Sequence, residues 1–197
     1  MKDPTNPWKL SATLAAVGLG LALAACSSTQ MTNTWKDPNA ANMHLSKVAV
    51  VSLSRDEPIR RMAEDDVAAK LGPHAVASYK VLEGVDLKDR EAVKAMLVRE
   101  GFDGVLVMRL AGVTEQVTPG WGPYGTFDRY YDYAYGSAYG PQIDTEVHVV
   151  SSLYSLPGNK MIWGGTSRTF DPSSIKDVID GVSNALAKEV QKNRLIL

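Results

Sequence analysis

Two short, nearly unbroken apolar runs constrain this chain more than any other feature. The first is Val48-Ala49-Val50-Val51, within residues 47–53, and the second is Val105-Leu106-Val107-Met108, continuing through Arg109 to Leu110. Each is short for a helix and too continuous for a strand with one wet face. A strand that is apolar on both faces needs cover on both, the condition of a parallel sheet flanked by helices.

The intervening residues read as that cover. Over 54–71, Ile59, Ala63, Val67 and Leu71 recur on one helical face. Ser54 or Asp56 can cap this helix, Pro58 falls in its first turn, and Gly72-Pro73 ends it. Glu64 follows Arg60 by four residues, the spacing of an intrahelical ion pair. Residues 74–82 read as a second strand, and 86–100 as a helix with Leu87, Val93, Met96 and Leu97 on its buried stripe. Gly101 suits a left-handed cap. The order to this point is β-α-β-α-β, a pair of crossovers expected to be right-handed.

Beyond the excursion at 118–141, residues 142–156 and 161–170 read as a long hairpin turned by Pro157-Gly158-Asn159-Lys160, with Trp163 in the return strand. Asp171-Pro172 then opens a helix whose face is Ile175, Val178, Ile179, Val182, Leu186 and Val190. Leu195-Ile196-Leu197 can tuck against the sheet. The fold class is α/β: β-α-β-α-β, a long β-hairpin and a C-terminal helix, forming a mixed sheet with helices packed on it. Residues 47–197 make one domain.

Residues 118–141, TPGWGPYGTFDRYYDYAYGSAYGP, fit neither period. They hold eight of the chain's fifteen aromatics: Trp121, Tyr124, Phe127, Tyr130, Tyr131, Tyr133, Tyr135 and Tyr139. A loop of this length is uncommon and is usually functional or disordered. Trp and Tyr supply large amphipathic area with few rotatable bonds, so these residues are the candidate partner-binding surface. A half-buried low-complexity insert and a loop reaching the membrane interface are the alternatives.

The N-terminus carries a separate message. Lys2 and Lys9 give it a positive bias, and residues 10–25 carry no charge. That run is the length of a signal h-region and short for a membrane span. It ends in Leu23-Ala24-Ala25-Cys26, and Cys26 is the only cysteine in the chain. The arrangement resembles the lipobox of bacterial lipoproteins. The resemblance implies removal of residues 1–25, lipidation of Cys26 by several acyl chains, and, with Ser27 rather than Asp following, an outer-membrane location facing the periplasm. One acyl chain holds only marginally, so several make attachment durable. Residues 26–46 then read as the lipidated cysteine and a flexible tether, since Ser, Thr, Asn, Gln and Pro dominate them. Trp35 in this stretch is expected to dock on its own domain.

The element order also resembles, more distantly, the α/β domains of the curli-secretion lipoprotein and the TolB N-terminal domain. That resemblance implies a scaffold or assembly module. Composition excludes other classes. Removing Lys2, Lys9 and Asp3 moves the formal charge from −1 to −2, without the basic face that nucleic acid requires. No G-x-S-x-G or phosphate-cradling glycine motif occurs, and no cofactor is implied. Asp144, Glu146 and His148 alternate on one strand face, but a solvated face explains them better than a metal shell. The expected function is a non-enzymatic, lipid-anchored binding or assembly module of the cell envelope. Its partner would be an envelope protein or peptidoglycan, and a homo-oligomer is possible. A self-assembling secretion-related protein and a cell-wall enzyme are the alternatives.

Overall fold

The computed structural model describes residues 29–40, 43–118, 131 and 142–197. Along the chain come β1 (Thr29–Lys36), β2 (Val48–Ser52), α1 (Glu57–Leu71), β3 (Ala75–Ala77), α2 (Arg90–Arg99), β4 (Gly104–Thr118), β5 (Gln142–Ser155), β6 (Lys160–Phe170) and α3 (Ile175–Asn193). Six strands form one sheet in the order β1-β6-β5-β4-β2-β3. β2 runs parallel to β3 and β4, and the other pairs are antiparallel. This is the mixed α/β sheet that the two apolar runs demand.

The continuous runs are covered on both faces. Val48, Val50, Leu106 and Met108 belong to a core shared with Val67 of α1 and Val182, Leu186 and Val190 of α3. Ala49 and Val105 belong to a second core with Leu82, Leu97 and Phe102, closed by the α2 side of the sheet. Asp56 caps α1 by accepting from the Ile59 amide at 3.0 Å. Asp89 caps α2, so that helix starts later than the sequence suggests, and Leu87 is left exposed. The α3 cap is Ser174 rather than Asp171. Asp171 instead exchanges two hydrogen bonds with Thr145, closing the end of the β5–β6 hairpin. Leu195 is fully buried, and Ile196 bridges to Leu45.

Residues 29–36, expected as part of a loose tether, form β1 on the edge of the sheet. Low hydrophobicity misled here because the strand is held mainly by its backbone ladder to β6. Its register slips between Met31 and Asn33. Trp35 is on this strand and remains about half exposed. β4 also runs past Leu110 to Thr118, and β5 pairs with it over that whole length. The β4–β5 hairpin therefore overhangs the helices at one end of the sheet, here termed the hairpin end. β1 starts at that same end: Thr29 is opposite Thr169, which is itself opposite Val147.

Glu64 of α1 is fully buried. Its carboxylate accepts from the Ser52 amide at 3.1 Å, the Ser78 hydroxyl at 2.9 Å and the Tyr79 amide at 3.0 Å, with the Arg60 guanidinium 3.6 Å away. The ion pair read from the spacing is present as one part of a larger junction. Removing the carboxylate leaves two amides and a hydroxyl without partners in a dry site. Glu64→Ala is expected to cost about 3–5 kcal/mol and to lower the melting temperature by on the order of 10 °C. Calorimetry checks this, and an unchanged melting temperature would show that water replaces the carboxylate.

Asp103 joins the starts of β2 and β4, accepting from the Ser46 hydroxyl at 2.7 Å and from the Ser46 and Lys47 amides at 2.8 and 2.9 Å. Burial raises its carboxyl, but the Ser46 hydroxyl and these amides outweigh burial and hold it below its usual value. A depressed carboxylate stabilises the fold above its unfolded pKa, about 3.9, and that contribution is lost as pH falls toward the folded value. Asp103→Asn is expected to cost about 1 kcal/mol at pH 7. The difference between the two proteins should narrow below about pH 4 in denaturant titrations.

Candidate functional site

At the hairpin end, the sheet face shared with α1 and α3 is only partly covered. The helices begin at Glu57 and Ile175, and the hairpin continues beyond them. The gap is a groove of about 410 Å³, floored by Met108, Leu110, Val113, Val147 and Val149. Ile59, Ala63 and Val67 line it from α1, and Val178, Ile179 and Val182 from α3.

The floor depends on a bulge. Leu110 pairs with Val149 and Val113 with Val147, and the register slips between Leu110 and Gly112. Strand side chains alternate with a period of two, so residues three apart ordinarily face opposite ways. The extra residue returns Leu110 and Val113 to one face. Gly112 inside an apolar strand pattern was the available sequence signal.

The groove opens onto a band of exposed apolar side chains. Leu53, Leu110, Val113, Ile143 and Ile175 are each 54–60% exposed. Their clustering at one end distinguishes them from singly scattered surface apolar residues, which are normal. Arg55 and Arg109 also border the groove.

Thr118 and Gln142 close the β4–β5 ladder, so the aromatic segment departs from the tip of the hairpin. Tyr131 is about half exposed. Trp121, Tyr124, Phe127, Tyr130, Tyr133, Tyr135 and Tyr139 lie outside the described residues, as does Cys26.

A second, more polar cavity of about 560 Å³ lies beside Arg60, Arg61, Tyr79 and Lys80. Its cations already have carboxylate partners. Arg60 and Arg61 bind Glu57 at 2.8 and 2.7 Å, and Lys80 binds Asp65 at 2.7 Å. The Lys80 contact, with help from Tyr79, holds Asp65 below its usual range, and Asp65 raises both Lys80 and Tyr79. The arrangement is a neutralised surface network.

On the uncovered face of β5, Glu146 is buried and paired with His148 at 3.4 Å and with Arg168 at 3.7 Å. Arg168 also stacks on Phe170, 4.4 Å from the ring centre. Among the described residues, no group of three or more His, Cys, Asp or Glu is placed to hold a metal ion. His44 and His74 contact the carbonyls of Arg194 and Ser46 at 2.6 and 2.9 Å. Each histidine thus has a local structural partner. Among the described residues, no helix is long and apolar enough to cross a membrane, which leaves strands unaddressed.

No family model matches the chain, and no curated protein matches it. Among solved structures, it is similar to a PelC dodecamer from Paraburkholderia phytofirmans at 15% identity, covering 85% of this chain and 98% of that one, with a TM-score of 0.46. It is also similar to lipoprotein GNA1162 from Neisseria meningitidis at 16% identity, covering 75% of this chain and 99% of that one, with a TM-score of 0.40.

One glycine fixes the start of β1 at this end. A Cβ on Gly181 of α3 would collide with the Thr29 hydroxyl and stand 2.8 Å from the Thr29 Cβ. Thr29 is held from the other side by the Thr169 hydroxyl at 2.8 Å. Gly→Ala in a helix interior ordinarily stabilises by about 1 kcal/mol. Here Gly181→Ala is expected to destabilise and to loosen β1, seen as faster amide exchange across residues 30–36. Thr29→Gly in the same chain should restore slow exchange. Slow exchange in the single variant would show that the strand start is not fixed by this contact.

Proposed function

We propose that the chain is a non-enzymatic, lipid-anchored module of the bacterial envelope, held at the periplasmic face of the outer membrane by acyl groups on Cys26. The observation that carries this reading is the sequence Leu23-Ala24-Ala25-Cys26 at the end of a charge-free run, with a polar start to the domain directly after it. It accounts for a single cysteine that has no partner within the chain. The described side chains support a non-catalytic role, because the histidines are engaged with backbone carbonyls or Glu146 and the groove is lined mainly by apolar groups.

The aromatic segment 118–141 is the proposed partner surface, with Trp121, Tyr124, Phe127, Tyr130, Tyr131, Tyr133, Tyr135 and Tyr139 as its contacts. The hairpin is paired out to Thr118 and Gln142, the two residues between which the segment is inserted. An envelope protein fits this surface, and peptidoglycan, whose sugars stack on aromatic rings, fits it as well. Cys26→Ser is expected to abolish incorporation of labelled palmitate and to leave an uncleaved precursor. Photo-crosslinkers at Tyr130 and Tyr139 should capture a partner, and that partner should no longer co-purify with the protein when 121–139 is replaced by a Gly-Ser linker. Retention of the same partner by the linker variant would reject the segment as the contact.

A further inference from the structure

We infer that the hairpin end of the domain docks into the headgroup layer of the phospholipid bilayer, with Leu53, Leu110, Val113, Ile143 and Ile175 as the inserted side chains. The inference rests on the lipidation of Cys26 proposed above and adds a contact that the lipid alone does not require.

Very little chain separates the anchor from the domain. β1 starts at Thr29, and that residue is held by Thr169 and packed against Gly181. Only Ser27 and Ser28 separate it from Cys26. Three residues of extended chain span at most about 10 Å. The long spacer suggested by composition is thus reduced to two serines.

Thr29 is level with Thr169 and, through it, with Val147. Ile143 is four residues further along β5 toward the hairpin tip, about 13 Å beyond that level at an ordinary strand rise. The overhang therefore reaches at least as far as the two-serine connection does. The polar layer on each side of a bilayer is only about 5–8 Å thick. With Cys26 anchored, the two-serine connection keeps the start of β1, and with it the hairpin end, close to that layer.

Five exposed apolar side chains project from this end, at 54–60% exposure each. Arg55 and Arg109 border them, matching the phosphates of an anionic leaflet. Surfaces that combine apolar groups with flanking cations bury several ångströms into the boundary between headgroups and acyl chains. The opposite end is where Asn193 receives the Lys36 ammonium and where Leu197 lies, so it points away from the bilayer.

The test uses the full lipidated protein in vesicles of phosphatidylethanolamine and phosphatidylglycerol. Because Cys26 is consumed by lipid, an introduced cysteine is the only reactive thiol. Bimane would be attached at Leu110→Cys, Ile143→Cys or Ile175→Cys, with Leu197→Cys as the control at the far end. The expected result is blue-shifted emission at the first three positions and quenching by brominated phospholipid several-fold stronger than at the control. Water-like emission at all three positions of a lipidated protein overturns the docking and leaves the anchor intact. Blue-shifted emission without bromolipid quenching, the mark of cover by a second copy or by the chain itself, also overturns it. Absence of lipid on Cys26, read by mass spectrometry of the same sample, overturns the anchor and the docking together.

Discussion

The helix-covered half of this protein depends on one buried carboxylate. Glu64 reaches the end of β2 through the Ser52 amide and the turn after β3 through Ser78 and Tyr79, while its own helix supplies Arg60. Two strands that leave the sheet at the same end are thereby held to the helix that connects them. A leucine in that place would fill the volume but would leave two amides without acceptors. The junction fixes where α1 crosses β2, and this in turn sets how much of β4 and β5 the helices leave bare.

The sheet has two halves with different roles. The β3–β2–β4 portion is parallel, covered on both faces and fixed by the Glu64 and Asp103 junctions. The β5–β6–β1 portion is antiparallel, and its outer face carries Glu146, His148 and Arg168 instead of a helix. Its inner face is packed against α3 until the helix runs out at Ile175. Beyond that point the hairpin continues alone, and its apolar residues have no partner among the helices. The groove follows from a mismatch in length between strands and helices.

The parts of the fold that were legible in the sequence are those set by burial. Val48–Ser52 and the start of β4 announce themselves as strands covered on two faces, and α3 by its regular apolar stripe. β1 was illegible because an edge strand is stabilised by backbone pairing, to which Thr, Gln and Asn are no obstacle. The outer half of β4 was missed for a related reason: Thr114, Glu115 and Gln116 look like loop residues until their partners on β5 are known. Glu64 reads as a surface acid at helical spacing from Arg60, and only the tertiary arrangement shows what surrounds it. Of the proposed site, Cys26 and all of the aromatic segment's candidates except Tyr131 are readings of the sequence alone and lie outside the described residues. The groove was not legible in the sequence, since it is made by a bulge and by where two helices happen to start.

The slip in register along β1 bears on how copies of the chain meet one another. An open six-stranded sheet offers two edges to its neighbours, and a long flat edge is a template for adding strands. Here one edge is β3, only three residues long, and the other is interrupted between Met31 and Asn33. A bulge twists the strand and breaks the even row of amides and carbonyls. This edge geometry lets copies of the chain collide without zipping into an extended sheet.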